Sequence, residues 1–153
     1  MKISTLVAKH IAEVVHGNWT DIYLEDVVNG VTYKEAVTVP SGLTNSIAML
    51  VHHIGFYNNV VIERIKGNNP GINDANGFDI TITNEDEWQK LKATSLDSLK
   101  KLATIVAALP DEKLWELTPT GTDSFYKTLH GIAEHAHYHL GQIVLIKKLV
   151  RNK

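Results

Sequence analysis

The sequence contains no cysteine. Disulfides, thiolate metal sites and cysteine nucleophiles are therefore excluded together, and the composition fits a reducing compartment. A basic excess is also missing. Fifteen Lys and Arg face seventeen Asp and Glu, for a formal net charge of −2. Nucleic-acid binding needs a basic patch or stripe, so neither DNA nor RNA is an expected partner. Proline is scarce, at Pro40, Pro70, Pro110 and Pro119, and none falls inside a periodic stretch. Met1-Lys2-Ile3-Ser4 runs straight into an amphipathic pattern without an apolar leader, so a cytoplasmic location is expected. Between Ala36 and Ile62 there is no Asp, Glu, Lys or Arg. That length would span a bilayer. The stretch nevertheless holds Pro40, Asn45, His52, His53, Asn58 and Asn59, and reads as a loop followed by a buried helix. No membrane association is expected.

What is present suits one domain over residues 1–153, with 44% hydrophobic residues. A chain of this length buries roughly 70% of its unfolded surface. Ile3, Leu6, Val7, Ile11, Val14 and Val15 have helical spacing, ended by Gly17-Asn18. Trp19 to Val28 reads as a short helix, and Thr32-Tyr-Lys-Glu35 as a capping box opening one more turn. A second long helix is predicted from about Thr44–Ser46 to Gly67. Residues 67–82 form a long polar loop. The third long helix opens at Thr83-Asn-Glu-Asp86 and stops at Pro110. Asp111 to Leu117 reads as a short connecting helix. The last long helix is capped by Asp123 and runs from about Ser124 to Val150. No convincing strand pair stands out. The predicted class is all-α, a four-helix bundle with irregular connections.

Histidine is abundant: eight residues, six of them in two short segments. His135 and His139 lie four apart, so one helix face can offer two imidazole ligands. His130, Glu134 and His137 share the opposite flank, and periodicity does not choose between the two sets. On the second long helix, His53 lies within the apolar arc while His52 is rotated about 100° toward the rim. An unpaired imidazole in a core is costly. His53 is therefore either a hydrogen-bonded core histidine or a third ligand meeting the last helix. Three neutral imidazoles with open coordination suit a catalytic divalent metal, with zinc, nickel, iron and manganese all compatible. His135-Ala-His-Tyr-His139 lacks the Glu of the His-Glu-x-x-His metalloprotease motif. Tyr57, Tyr138 and Gln142 are neighbours of these positions, and Gln142 is a candidate hydrogen-bond partner for His139. Trp19, Trp88 and Trp115 read as packing residues, and His10 and His16 as surface residues.

Ser46-Ile-Ala-Met-Leu-Val-His-His53-Ile and Glu134-His135-Ala-His-Tyr-His139-Leu-Gly-Gln142-Ile resemble the DinB-like superfamily, also described as YfiT-like metal-dependent hydrolases. Asn84-Glu-Asp-Glu-Trp88 and Ala108-Leu-Pro-Asp-Glu-Lys-Leu114 extend the resemblance over nearly the whole chain. Its most specific part is the His-x3-His-x-Gly-Gln end. Leu140 stands where the family often has Arg. The resemblance implies a four-helix bundle and a bacterial protein holding a metal on His53, His135 and His139. It also implies a metal-dependent transferase or hydrolase acting on a small molecule, with a low-molecular-weight thiol as cosubstrate in some members. The alternative is a non-catalytic metal-binding or stress-associated bundle. Zinc and nickel are the leading metals. A homodimer is expected. The 67–82 loop reads first as a solvated connector whose aspartates shape turns; the sharper reading places it near the metal, as a lid or as the source of a carboxylate base from Asp74 or Asp79.

Overall fold

The computed structural model describes residues 1–152, and among these all regular structure is helical. The helices are α1 (Ile3–Glu13), α2 (Leu24–Val28), α3 (Tyr33–Val37), α4 (Ile47–Ile65), α5 (Glu85–Ala108) and α6 (Phe125–Arg151), with a 3-10 turn at Asp111–Trp115. The four long helices pack in a closed ring, α1 on α5, α5 on α4, α4 on α6 and α6 on α1. None is long and apolar enough to cross a membrane.

Local chemistry sets the helix starts. Ser46 accepts the Met49 N–H at 3.3 Å, Asn84 accepts the Glu87 N–H at 2.9 Å, and Ser124 accepts the Lys127 N–H at 3.2 Å. Each satisfies one of the free N–H groups in a first helical turn. The cap of α6 is therefore Ser124 and not Asp123, whose carboxylate takes the Lys127 ammonium at 2.6 Å. The Thr32–Glu35 capping box forms as the sequence predicts. Helix α1 has no cap of its own. Asp111, 108 residues away, accepts the Ile3 and Ser4 N–H groups, both at 2.9 Å. This carboxylate is held below its usual pKa by those two backbone donors. Chain beginning and bundle floor are thereby tied together. The helix expected from Trp19 is shorter and starts only at Leu24. Asn18 organises the preceding residues instead, donating to the Ile22 carbonyl and accepting from Thr20, and Trp19 is almost fully exposed.

The core comprises Ile11, Leu24, Ile47, Leu50, Ile54, Leu99, Leu102, Leu114, Phe125, Leu129 and Ile143, all but out of contact with solvent. Trp88 is fully buried, and its indole N–H donates to the Val31 carbonyl at 2.6 Å, pinning the segment after α2 onto α5. Within the uncharged stretch before Glu63, α4 forms a close seam with α5. Gly55 faces Ser95 so closely that an added Cβ would lie 3.2 Å from its Oγ. Ser95 donates to the Val51 carbonyl at 2.8 Å, and Asn58 donates to Ser98 at 2.9 Å. Short polar side chains bonded to backbone or to each other lower the cost of burying polar groups in this seam, although Asn58 Oδ1 is left without a partner. Two long helices can then lie close, fixing α4 and the inward histidine it carries.

Candidate metal centre

His53 projects from the middle of α4 and is 4% exposed; His139 projects from α6 and is 6% exposed. His135, one turn before His139, is half-buried. The α4–α6 packing brings the three rings together. His135 Nε2 lies 2.9 Å from His53 Nε2 and 3.1 Å from His139 Nε2. Their ring centroids are 4.8, 4.8 and 4.5 Å apart. Among the described residues this is the one group of three or more His, Asp or Glu side chains close enough to hold a metal ion. The rival flank does not converge in this way. His130 and His137 turn toward α1, where the His10 ring lies 5.8 and 5.9 Å from theirs.

Proton placement follows from what lies behind each ring. His53 Nδ1 is 2.6 Å from the Asn76 carbonyl, and His139 Nδ1 is 2.6 Å from Gln142 Oε1. Both oxygens only accept, so both Nδ1 atoms carry the proton. The Nε2 lone pairs of His53 and His139 then face His135. A single N–H on His135 Nε2 cannot point along both contacts at once, and with the His135 proton on Nδ1 instead, three lone pairs converge and repel. A cation at the centre relieves that repulsion. Nitrogens that would each lie about 2.0–2.1 Å from one shared ion would stand about 3–3.4 Å from one another, and the distances of 2.9 and 3.1 Å are close to that range. Burial lowers the pKa of all three rings. That of His135 falls to about 4, with the neighbouring His139 and His53 adding to the effect. Neutral imidazoles are the form a metal needs. His135 Nδ1 is buried with no protein partner.

The 67–82 loop does reach the histidines, but through backbone and not through its carboxylates. Asp74 and Asp79 are both exposed. Asn76 and Gly77 instead form the centre of a tight turn closed by a 2.9 Å bond from the Phe78 N–H to the Ala75 carbonyl. Their positive φ angles, 52° and 74°, are those of a type I′ turn, for which Asn-Gly is the favoured pair. Gly77 offers its carbonyl to His52 Nδ1 at 2.7 Å, the Tyr57 hydroxyl donates to the Asn76 side chain, and Phe78 stacks on His53 with centroids 4.0 Å apart. Sequence reasoning missed Asn76, Gly77 and Phe78, although the Asn-Gly dipeptide was a readable turn signal.

Tyr57 packs edge-on to His53 and His135, and Tyr138 edge-on to His139. Trp88 is core, whereas Trp19 and Trp115 are exposed and away from the triad contacts. A groove of about 450 Å³ lies between α4 and α5, lined by His52, Phe56, Val60, Leu91 and other residues but not by the triad.

No curated protein sequence matches the chain significantly. The family model of the DinB superfamily matches residues 19–143, a span that takes in all three converging histidines, and the chain belongs to that superfamily.

Proposed function

We propose that His53, His135 and His139 bind one divalent transition metal, zinc or nickel in the first place, with the ring of α1, α4, α5 and α6 serving as the superfamily's four-helix bundle around it. The observation that carries this reading is the convergence of three Nε2 atoms at 2.9 and 3.1 Å with Nδ1 protons fixed behind two of them. Three protein ligands leave coordination open, as in catalytic and not closed structural sites.

On that basis the protein is a metal-dependent transferase or hydrolase acting on a small molecule. A bound metal would act as a Lewis acid and lower the pKa of a coordinated water or thiol. The chain has no thiol of its own, so an S-transfer would draw its sulfur from a low-molecular-weight cosubstrate. The protein's part is to hold the three imidazoles neutral and oriented. Asn76 and Gln142 do so from behind two of the rings, and Phe78 and Tyr57 cover His53.

The second reading, a non-catalytic metal-binding bundle, is favoured by one observation. The 450 Å³ groove lies on the α5 side of α4 and is not lined by the triad.

The experiment is elemental analysis of protein purified without a metal-affinity column, followed by thiol-transfer and ester-hydrolysis assays on stripped and reloaded samples. One metal per chain, with activity lost on stripping and regained on reloading, is expected. Metal without activity across both assay types selects the second reading. No metal uptake overturns both.

A further inference from the structure

The turn at Ala75–Phe78 touches α4 at four positions within six residues. Gly77 O accepts from His52, Asn76 O accepts from His53, Asn76 Oδ1 accepts from Tyr57, and the Gly77 backbone rests on the Phe56 ring. A type I′ turn usually joins two strands. Here no strand flanks it, so sheet pairing is not its purpose. Its two successive carbonyls meet two successive histidines at 2.7 and 2.6 Å. His52 is half-buried at the edge of the triad's helix and is not one of the converging rings.

We propose that the Asn76–Gly77 turn is a positioning device for the metal site, anchored through His52 so that the Asn76 carbonyl holds His53 in its Nδ1–H tautomer with Nε2 aimed at the metal. Gly77 is the residue on which it depends. Its φ is +74°, and a Cβ there would lie 2.7 Å from Phe56 Cγ and 2.9 Å from Phe56 Cβ. No side-chain rotation of Phe56 moves its Cβ, so an added methyl has to lift the turn. The same loop carries exposed aspartates, Asp74 and Asp79, on either side of the turn. A hydrogen-bond acceptor behind a ligating imidazole fixes its tautomer and orientation, and losing one typically costs about 10–100-fold in metal affinity.

This inference rests on the triad being the metal site, and its test separates the two. Gly77→Ala and wild type are compared in zinc affinity by chelator competition, and in His53 tautomer by ¹⁵N long-range NMR of the metal-free protein. Gly77→Ala is expected to lose about 10-fold or more in affinity. Its His53 signature is expected to move from a single Nδ1–H tautomer to an average of two. Unchanged affinity together with an unchanged tautomer overturns the proposal. If wild type takes up no zinc, the metal reading fails while the tautomer comparison still decides the role of the turn. Should Gly77→Ala not fold, His52→Phe removes the anchor and keeps an aromatic ring in place. An affinity loss toward the about 10-fold end of the range for outer partners supports the anchor, and no change in affinity or tautomer overturns it.

Discussion

Helix α6 carries histidines on two flanks, His135 and His139 four apart and His130 and His137 seven apart, and the two sets share residue type and helix but not surroundings. On the α4 side, His135 and His139 meet His53 with ring nitrogens 2.9 and 3.1 Å apart. On the α1 side, His130 and His137 meet His10 with centroids nearly 6 Å apart. Among the described residues no hydrogen bond joins that second set's ring nitrogens. What lies behind the rings differs as well. His53 and His139 are backed by a loop carbonyl and a glutamine oxygen, whereas His137 Nδ1 only returns its proton to its own helix at Ala133 O. Glu13 and Glu134 stand near His10 and raise its pKa against the lowering by burial and the two other rings. Shared residue type on one helix thus does not make two flanks equivalent: the α4 side adds a partner ring and acceptors behind two of its rings, and the α1 side does not.

The largest expected effect breaks this comparison outright. His135→Ala should reduce zinc affinity by more than about 100-fold, beyond the range for losing an outer hydrogen-bond partner, whereas His130→Ala and His137→Ala should leave it within twofold. Chelator competition measures all three. Equal losses on both flanks would erase the distinction. A smaller effect follows from Gln142→Leu, which keeps the volume behind His139 but removes its acceptor. About 10–100-fold in affinity should be lost, with the helix content by circular dichroism unchanged.

The division between what the sequence reveals and what it hides follows from range. The Thr32–Glu35 box and the Ser46 cap are contacts over three residues and are legible in the chain. The inward position of His53 follows from periodicity on one helix. The facing flank of α6 does not, because it depends on how α6 is rotated against α4, a matter of packing over a separation of 82 residues. Residue pattern left the flanks open there, and only the likeness to a known family pointed to His135 and His139. Two further features are hidden for the same reason. Asp111 caps a helix 107 residues upstream, and the Asn76-Gly77 turn docks on α4 from a loop in which the aspartates looked more chemical. Carboxylates draw attention as bases; here the loop's contribution is two carbonyl oxygens, which every residue possesses.

A pH series on the metal-free protein sharpens the comparison further. The folded-state pKa of His135 lies at about 4, against an ordinary value of 6.5, and His53 and His139 shift the same way. The folded protein therefore binds fewer protons than the unfolded chain between these values. The stability these neutral rings retain is complete above about pH 6.5 and is lost as the pH falls toward 4. Thermal unfolding from pH 7.5 to 4 should show a falling midpoint, and His135→Gln should flatten the decline. Saturating zinc should raise the midpoint at pH 7.5 in wild type, since a ligand that binds only the native state stabilises it.

The smallest effect is expected from His10→Gln, and it tests the other flank. His10 is half-buried, and burial, then His137 and then His130, lowers its pKa while Glu13 and Glu134 oppose the shift. The sign is the same as for His135: its contribution is present above pH 6.5 and declines below. The size should be much less, because the ring is more open to water and two carboxylates stand ready to compensate a proton. Replacement by glutamine keeps a polar side chain of similar reach at a partly exposed helix position, where substitutions usually change stability by less than about 0.5 kcal/mol. Urea midpoints at pH 7.5 and pH 5 should therefore differ between His10→Gln and wild type by little at either pH, and zinc affinity should not move. A flattening of the acid decline as large as that from His135→Gln would show that the α1 flank is as strongly coupled as the triad. The contrast between the two faces of α6 would then have to be abandoned.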